Sequence, residues 1–184
     1  KTWGIIGLGA IVRRVAEIAR AFGAKVIYYS ASGAPAQEGY EQVDFETLLT
    51  QSDIISVHAP LNEHTEGLIN SKAFEKMKSS CIFLNLGRGP IVDEQALYNA
   101  LVRNQIAAAG LDVLCEEPMS ASNPLLKIKD SKRLLITPHI AWASVDSSYG
   151  NYPWTSQGLF CLRSIFCLSL QFFCNLQSIF FCNV

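Results

Sequence analysis

Three residues in the 184-residue chain are of types that could together move a proton beside a bound acid. They are Arg88 in Asn85-Leu86-Gly87-Arg88-Gly89-Pro90, Glu117 before Pro118, and His139 in Thr137-Pro138-His139-Ile140. An imidazole gives and takes a proton near neutral pH, as the reduction of a carbonyl requires. Arg88, between two glycines after an apolar run, could grip a carboxylate with two parallel hydrogen bonds, or be an ordinary surface arginine in a turn. Glu117, its backbone held extended by the following proline, could orient the imidazole and raise its pKa, or be a solvated loop acid. His139 could equally be a satisfied or exposed histidine without chemistry.

A second group of residues suits a phosphate. The apolar run Ile5-Ile6 ends in Gly7-Leu8-Gly9, and a helical pattern starts at once through Ala10, Ile11 and Val12. That is strand, tight turn, helix, which aims backbone N–H groups and a helix N-terminus at an anion. Gly7 lets the chain turn sharply, and Gly9 lets a pyrophosphate approach with no Cβ in the way. Val12 occupies the place of the third glycine of this fingerprint, so the helix is expected to be pushed outward or the loop bent. An ordinary strand–helix turn would leave the same trace. Asp112 closes an apolar strand and could accept from a nicotinamide or cap its loop. Thr65 could donate to a phosphate or cap a helix. His58 is expected to shape a strand end, and His64 to be a loop residue.

The elements that must position these groups alternate in type. Strands are expected at Ile5-Ile6, 25–29, 54–57, 81–86, 107–113 and 134–136, and 30–39 is loop by composition. Val12, Val15, Ile18, Ala19 and Phe22 form one helical face, which Gly23 stops. Asp44 caps a short helix over 45–51, Asn70 or Ser71 starts another to about Met77, and a third runs from Asp93 to Asn104 with Leu97, Ala100 and Leu101 inward. This alternation predicts an α/β fold, a doubly wound parallel sheet of Rossmann type in a single domain. In such sheets ligands bind beyond the carboxyl ends of the strands, and the residues singled out above fall there.

Bulk properties exclude several partners. A net charge of −1 with 17% charged residues carries no signature of nucleic-acid binding. The six cysteines form no Cys-x-x-Cys pair or Cys/His cluster, so neither a metal site nor a disulfide framework is expected, and the body reads as intracellular. Residues 1–150 are expected to form the domain. Residues 151–184 differ in kind, with Phe, Cys, Leu, Ser and Gln and one charge, Arg163. A membrane span, a docked helix and an aberrant, frame-shifted end all fit that tail; its composition and abrupt onset favour the last, and Gln171, Asn175 and Gln177 speak against a span.

Five motifs, in order, resemble the nucleotide-binding domain of the D-isomer-specific 2-hydroxyacid dehydrogenases. They are Gly7-Leu8-Gly9-Ala10-Ile11, Val57-His58-Ala59-Pro60-Leu61, the segment Asn85 to Asp93, Gly110-Leu111-Asp112-Val113 with Glu117-Pro118, and Thr137-Pro138-His139-Ile140. The resemblance covers residues 1–148. It implies hydride transfer between a nicotinamide and a small 2-hydroxy or 2-oxo acid, with Arg88 on the substrate carboxylate, His139 as general acid/base and Glu117 supporting it. Gly7, Gly9, Ala10, Ile11, Ser30, Ala59, Thr65, Leu86, Gly87, Arg88, Asp112 and His139 would line the dinucleotide. Ser30 stands about 20 residues past the glycine turn, where an acid ordinarily holds the ribose hydroxyls, and no arginine follows over 31–37. The reading therefore leans to NAD and leaves NADP open.

The resemblance also implies a cytoplasmic homodimer. The family's substrate domain is built largely from chain preceding this one, so weak or no turnover is expected of the chain as given. Trp142 could crowd the pocket toward small acids or pack at the sheet edge. A non-catalytic dinucleotide-binding interaction module, like the corepressor relatives of this fold, is the alternative.

Overall fold

Seven parallel strands share one sheet in the order β3-β2-β1-β4-β5-β6-β7. They are β1 (Thr2–Ile6), β2 (Lys25–Tyr29), β3 (Glu41–Gln42), β4 (Ile54–Val57), β5 (Ile82–Asn85), β6 (Ala108–Leu111) and β7 (Leu134–Ile136). Helices α1 (Ala10–Ala21), α2 (Phe45–Gln51), α3 (Ser71–Lys76) and α4 (Glu94–Val102) lie between them, with short 3-10 helices at Gly89–Ile91 and Pro124–Lys127. The computed structural model describes residues 1–140, and of Ala10 and Ile11 only the backbone. The expected boundary near 150, the tail over 151–184 and Trp142 lie outside the described residues.

Strand order reverses between β1 and β4, so the chain winds outward from β1 in both directions and leaves a crevice at their carboxyl ends. Apolar side chains fill both faces. Ile5, Val12, Val15, Ala19 and Val26 pack in one core under α1, while Ile6, Leu49, Ile55, Phe74, Phe83 and Leu97 pack in the other under α2, α3 and α4. Adjacent Ile5 and Ile6 serve opposite cores because successive side chains of a strand point to opposite faces. The one hydroxyl inside β4, on Ser56, accepts the Trp3 indole N–H at 2.9 Å.

Helix ends follow the expected signals. Asp44 accepts the Thr47 N–H, Asn70 those of Lys72 and Ala73, and Asp93 that of Ala96. At the end of α1 the Gly23 N–H meets the Arg20 carbonyl and the Ala24 N–H that of Ala19, with Gly23 at φ +79°. That turn corrects one expectation: Phe22 is not on the inward face. It is the C-cap, where the chain has left the helical path, and it is 66% exposed. Val12, in the place of the third glycine, is buried in the core under α1. Edge strand β3 was not expected, since two polar residues show no alternation.

Candidate functional site

The carboxyl rim of the sheet is a continuous row. The Gly7 N–H donates to the Tyr29 carbonyl, His58 to Ile6, Leu86 to Val57, Asp112 to Asn85 and Thr137 to Leu111, at 2.9 to 3.1 Å. Parallel pairing in this register brings the first residue beyond β1, β4, β5, β6 and β7 to one level. The motifs, far apart in sequence, therefore meet along one edge.

At the reversal point the rim encloses a cavity of about 250 Å³. Of the expected cofactor residues, Gly7, Gly9, Ser30, Ala59 and Thr65 line it, and Ala10 and Ile11 open α1 beside it. Gly7 has φ +87°, and a Cβ there would stand 3.0 Å from the Ala59 backbone. Gly7 is thus required twice, for its left-handed turn and for the close passage of the chain after β4. Gly9 differs: nothing lies within 4 Å of where its Cβ would be, and it caps α1 without a side-chain hydrogen bond. An open glycine backbone at the uncapped N-terminus of a 12-residue helix suits a diphosphate. The dinucleotide group implied by the motifs fits these residues.

Sequence reasoning missed Gln37 and undervalued His58. The Gln37 side chain lines the same cavity and donates to the Leu8 carbonyl at 2.7 Å, pinning the 30–39 loop to the glycine turn. No local pattern marks it, because its partner lies 29 residues away. His58 also lines the cavity; its Nε2 is sealed from solvent and unpartnered although the residue keeps a partly exposed edge. Burial pushes its pKa down to about 4, which keeps the ring neutral. Thr65 is buried, with its hydroxyl donating to the Pro60 carbonyl and accepting the Asn62 N–H. In this arrangement it ties the 60–65 loop and caps no helix. His64 is an exposed loop residue beside Glu63.

The second cluster lies toward β7. His139 Nδ1 is 2.9 Å from Glu117 Oε2, and the other carboxylate oxygen of Glu117 accepts the Leu114 N–H at 2.9 Å. The Leu114 N–H, then the His139 hydrogen bond, and more weakly the Arg88 charge hold the Glu117 carboxyl below its ordinary pKa. A carboxylate only accepts, so the imidazole nitrogen facing it is the donor of this pair in the Nδ1–H tautomer. The Glu117-Pro118 peptide bond is cis.

Arg88 follows β5 and caps the 3-10 helix Gly89–Ile91, with its guanidinium donating to the Gly87 carbonyl at 2.8 Å. Buried Asn85 splints this turn: its amide donates to the Arg88 carbonyl and its oxygen accepts the Gly87 N–H, both at 3.1 Å. A Cβ on Gly89 would overlap the Leu114 carbonyl, so Gly89 allows the Arg88 turn to lie against the loop that carries Glu117, while a Cβ on Gly87 would stand 2.9 Å from the Ala59 carbonyl oxygen. Asp112 serves the histidine loop. Its Oδ1 accepts the Thr137 hydroxyl at 2.6 Å and the Ile140 N–H at 3.0 Å. Leu86, Gly87, Arg88, Asp112 and His139 do not line the cavity at the glycine turn. Glu117 and His139 instead border a second, mainly apolar hollow of about 510 Å³ with Leu114, Met119, Ile136 and Thr137. Among the described residues no cluster of His, Cys, Asp and Glu could hold a metal, and no helix is long and apolar enough to cross a membrane.

Residues 1–141 match the family model described as D-isomer specific 2-hydroxyacid dehydrogenase, NAD binding domain. A hydroxypyruvate reductase of Blautia hydrogenotrophica is 46% identical over 149 residues, which are 80% of this chain and 45% of that protein. The crystal structure of a glyoxylate reductase from Paecilomyes thermophila superposes with a TM-score of 0.73 at 38% identity, covering 82% of this chain and 45% of the other. A D-lactate dehydrogenase with NAD+ from Lactobacillus jensenii superposes with a TM-score of 0.69 at 34% identity, covering 93% of this chain and 51% of the other. The chain spans under half the length of the relatives it matches in sequence.

Proposed function

The chain belongs to the D-isomer-specific 2-hydroxyacid dehydrogenase family, whose NAD-binding domain it carries, and from that premise we propose that it serves hydride transfer between NAD and a small 2-hydroxy or 2-oxo acid. The observation that carries this reading is the Glu117–His139 pair beside the Arg88 turn. Its placement on the rim that also holds the glycine turn adds to it.

The bound nicotinamide supplies the hydride donor or acceptor. The chain's own groups do the rest. Arg88 binds and orients the carboxylate of the acid through parallel N–H donors. Glu117, ionised, accepts the Nδ1–H of His139 and so orients the ring. His139 Nε2 then gives a proton to the alkoxide oxygen during reduction and takes it back during oxidation. Gly7, Gly9, Ala10 and Ile11 would hold the diphosphate, Ser30 would meet the ribose hydroxyls, and Ala59, Thr65, Leu86, Gly87 and Asp112 would border the dinucleotide. Ser30 neither bonds those hydroxyls as strongly as an acid nor repels a 2′-phosphate, so NAD is read as the ordinary partner and NADP as tolerated.

Titration of NADH fluorescence, followed by turnover with glyoxylate and hydroxypyruvate, tests the proposal. Binding at low micromolar NADH with turnover abolished by His139→Ala supports it; turnover unchanged in that variant overturns it. A cytoplasmic homodimer is part of the same reading, supported by the family resemblance and checked by sedimentation. The alternative of a non-catalytic module gains no support, since all three groups needed for turnover are present.

A further inference from the structure

We propose that Thr137 is a positioning residue that, through Asp112, fixes the orientation of His139. The assignment rests on the reading of His139 as the acid–base group. His139 is one of two non-glycine residues with positive φ among those described, at +52°. The left-handed region is unfavourable for a side chain with a Cβ, so neighbouring bonds must hold the residue there. Those bonds come from one oxygen. Asp112 Oδ1 accepts the hydroxyl of Thr137, two residues before the histidine, and the N–H of Ile140, one residue after it. The His139 N–H closes on the Thr137 carbonyl at 3.0 Å.

The clamp is buried at its root, because Asp112 is 2% exposed and its own N–H is bound to the Asn85 carbonyl of β5. It is therefore anchored to the sheet. Glu117 approaches from the loop after β6 and takes Nδ1 at 2.9 Å. Loss of the Thr137 hydroxyl removes the shorter of the bonds that Asp112 Oδ1 accepts from Thr137 and Ile140. The backbone at 139 can then relax toward ordinary φ, and Nδ1 swings away from Glu117. A serine at 137 retains the hydroxyl; a valine retains the shape without it.

The test reads the tautomer of His139 in the full chain by long-range proton–nitrogen spectra of 15N-histidine-labelled protein at neutral pH. No cofactor or acid is present. The unsubstituted chain must show Nδ1–H at His139; an Nε2–H tautomer there overturns the proposal without any variant. Thr137→Val is expected to lose most of the Nδ1–H signal of His139 while the spectra of His58 and His64 are unchanged, and Thr137→Ser to retain it. Retention in a folded Thr137→Val chain, or loss in Thr137→Ser, overturns the proposal. If Thr137→Val does not fold, Thr137→Ala is read against Thr137→Ser with the same criteria. A chain that fails to bind NADH but shows a responsive tautomer counts against the dehydrogenase reading alone. An unresponsive tautomer in an enzyme that turns over counts against the clamp alone.

Discussion

His139 and Glu117 come from loops 22 residues apart, yet Nδ1 and Oε2 lie 2.9 Å from each other. Both side chains are more than a third exposed, so the pair stabilises the fold little and acts through orientation. Glu117→Gln is therefore expected to change stability by less than about 1 kcal/mol and to lower turnover at least about tenfold. NADH oxidation with glyoxylate and a thermal melt check the two limbs. The Leu114 N–H and His139 depress the carboxyl's pKa, so whatever the pair contributes is present above the ordinary glutamate range and is lost as pH falls through the folded value.

Two glycines of the same turn should fail in different ways. Gly7→Ala places a Cβ 3.0 Å from the Ala59 backbone at φ +87°, and is expected to cost roughly 1–3 kcal/mol of stability. Gly9→Ala meets open space at φ −87°, so the fold should persist while NADH binding weakens, because the methyl stands where the diphosphate approaches. Urea melts and fluorescence titration separate the two. Equal loss of stability in both variants would contradict the assignment.

The fold was legible because each strand is a short apolar run and each stop has its own chemistry, such as Gly23, Asp44 and Asp93. The Arg88, Glu117 and His139 cluster was legible because each lies in the loop that follows a strand, and parallel register brings the ends of β5, β6 and β7 to one level. Gln37, Asn85 and Thr137 were not. Their tasks are hydrogen bonds to groups that adjoin them only in space, or to a turn whose shape no spacing announces. Phe22 was misplaced because helical periodicity does not say where a helix ends. Asp112 makes bonds to Thr137 and Ile140 that no spacing announces, since these partners lie 25 and 28 residues away.

Arg133 ties the edge of the sheet to the end of α4, far from the rim. Its guanidinium donates to the carbonyls of Ala107, Leu101 and Ile106 and to the Asn104 side chain, at 2.7 to 3.0 Å. Leu101 is near the end of α4, where a cation also meets the negative end of the helix dipole. Arg133→Met is expected to cost roughly 2–3 kcal/mol and Arg133→Lys somewhat less, since an ammonium cannot span four acceptors. Thermal denaturation measures this. NADH affinity should be unchanged, and a parallel loss of binding would mean that β7 and the rim are coupled.

His58 predicts how the chain responds to acid. Its ring is kept neutral by burial, with a pKa of about 4 against 6.5 in an unstructured chain. Between those values the unfolded chain binds a proton that the folded chain refuses. Stability is therefore complete above the unfolded value and falls as pH drops toward the folded one, by up to about 1.4 kcal/mol per pH unit. Below the folded value both states are protonated and this contribution stops changing. His58→Gln carries no such proton, so the wild-type-minus-variant stability difference should slope over this interval and flatten on either side. Urea melts across the interval read it directly, and exposed His64 and His139 cancel in the difference because both chains contain them. Parallel curves would mean that His58 finds a partner or reaches solvent, and that the cavity wall at the end of β4 is wetter than its sealed Nε2 indicates.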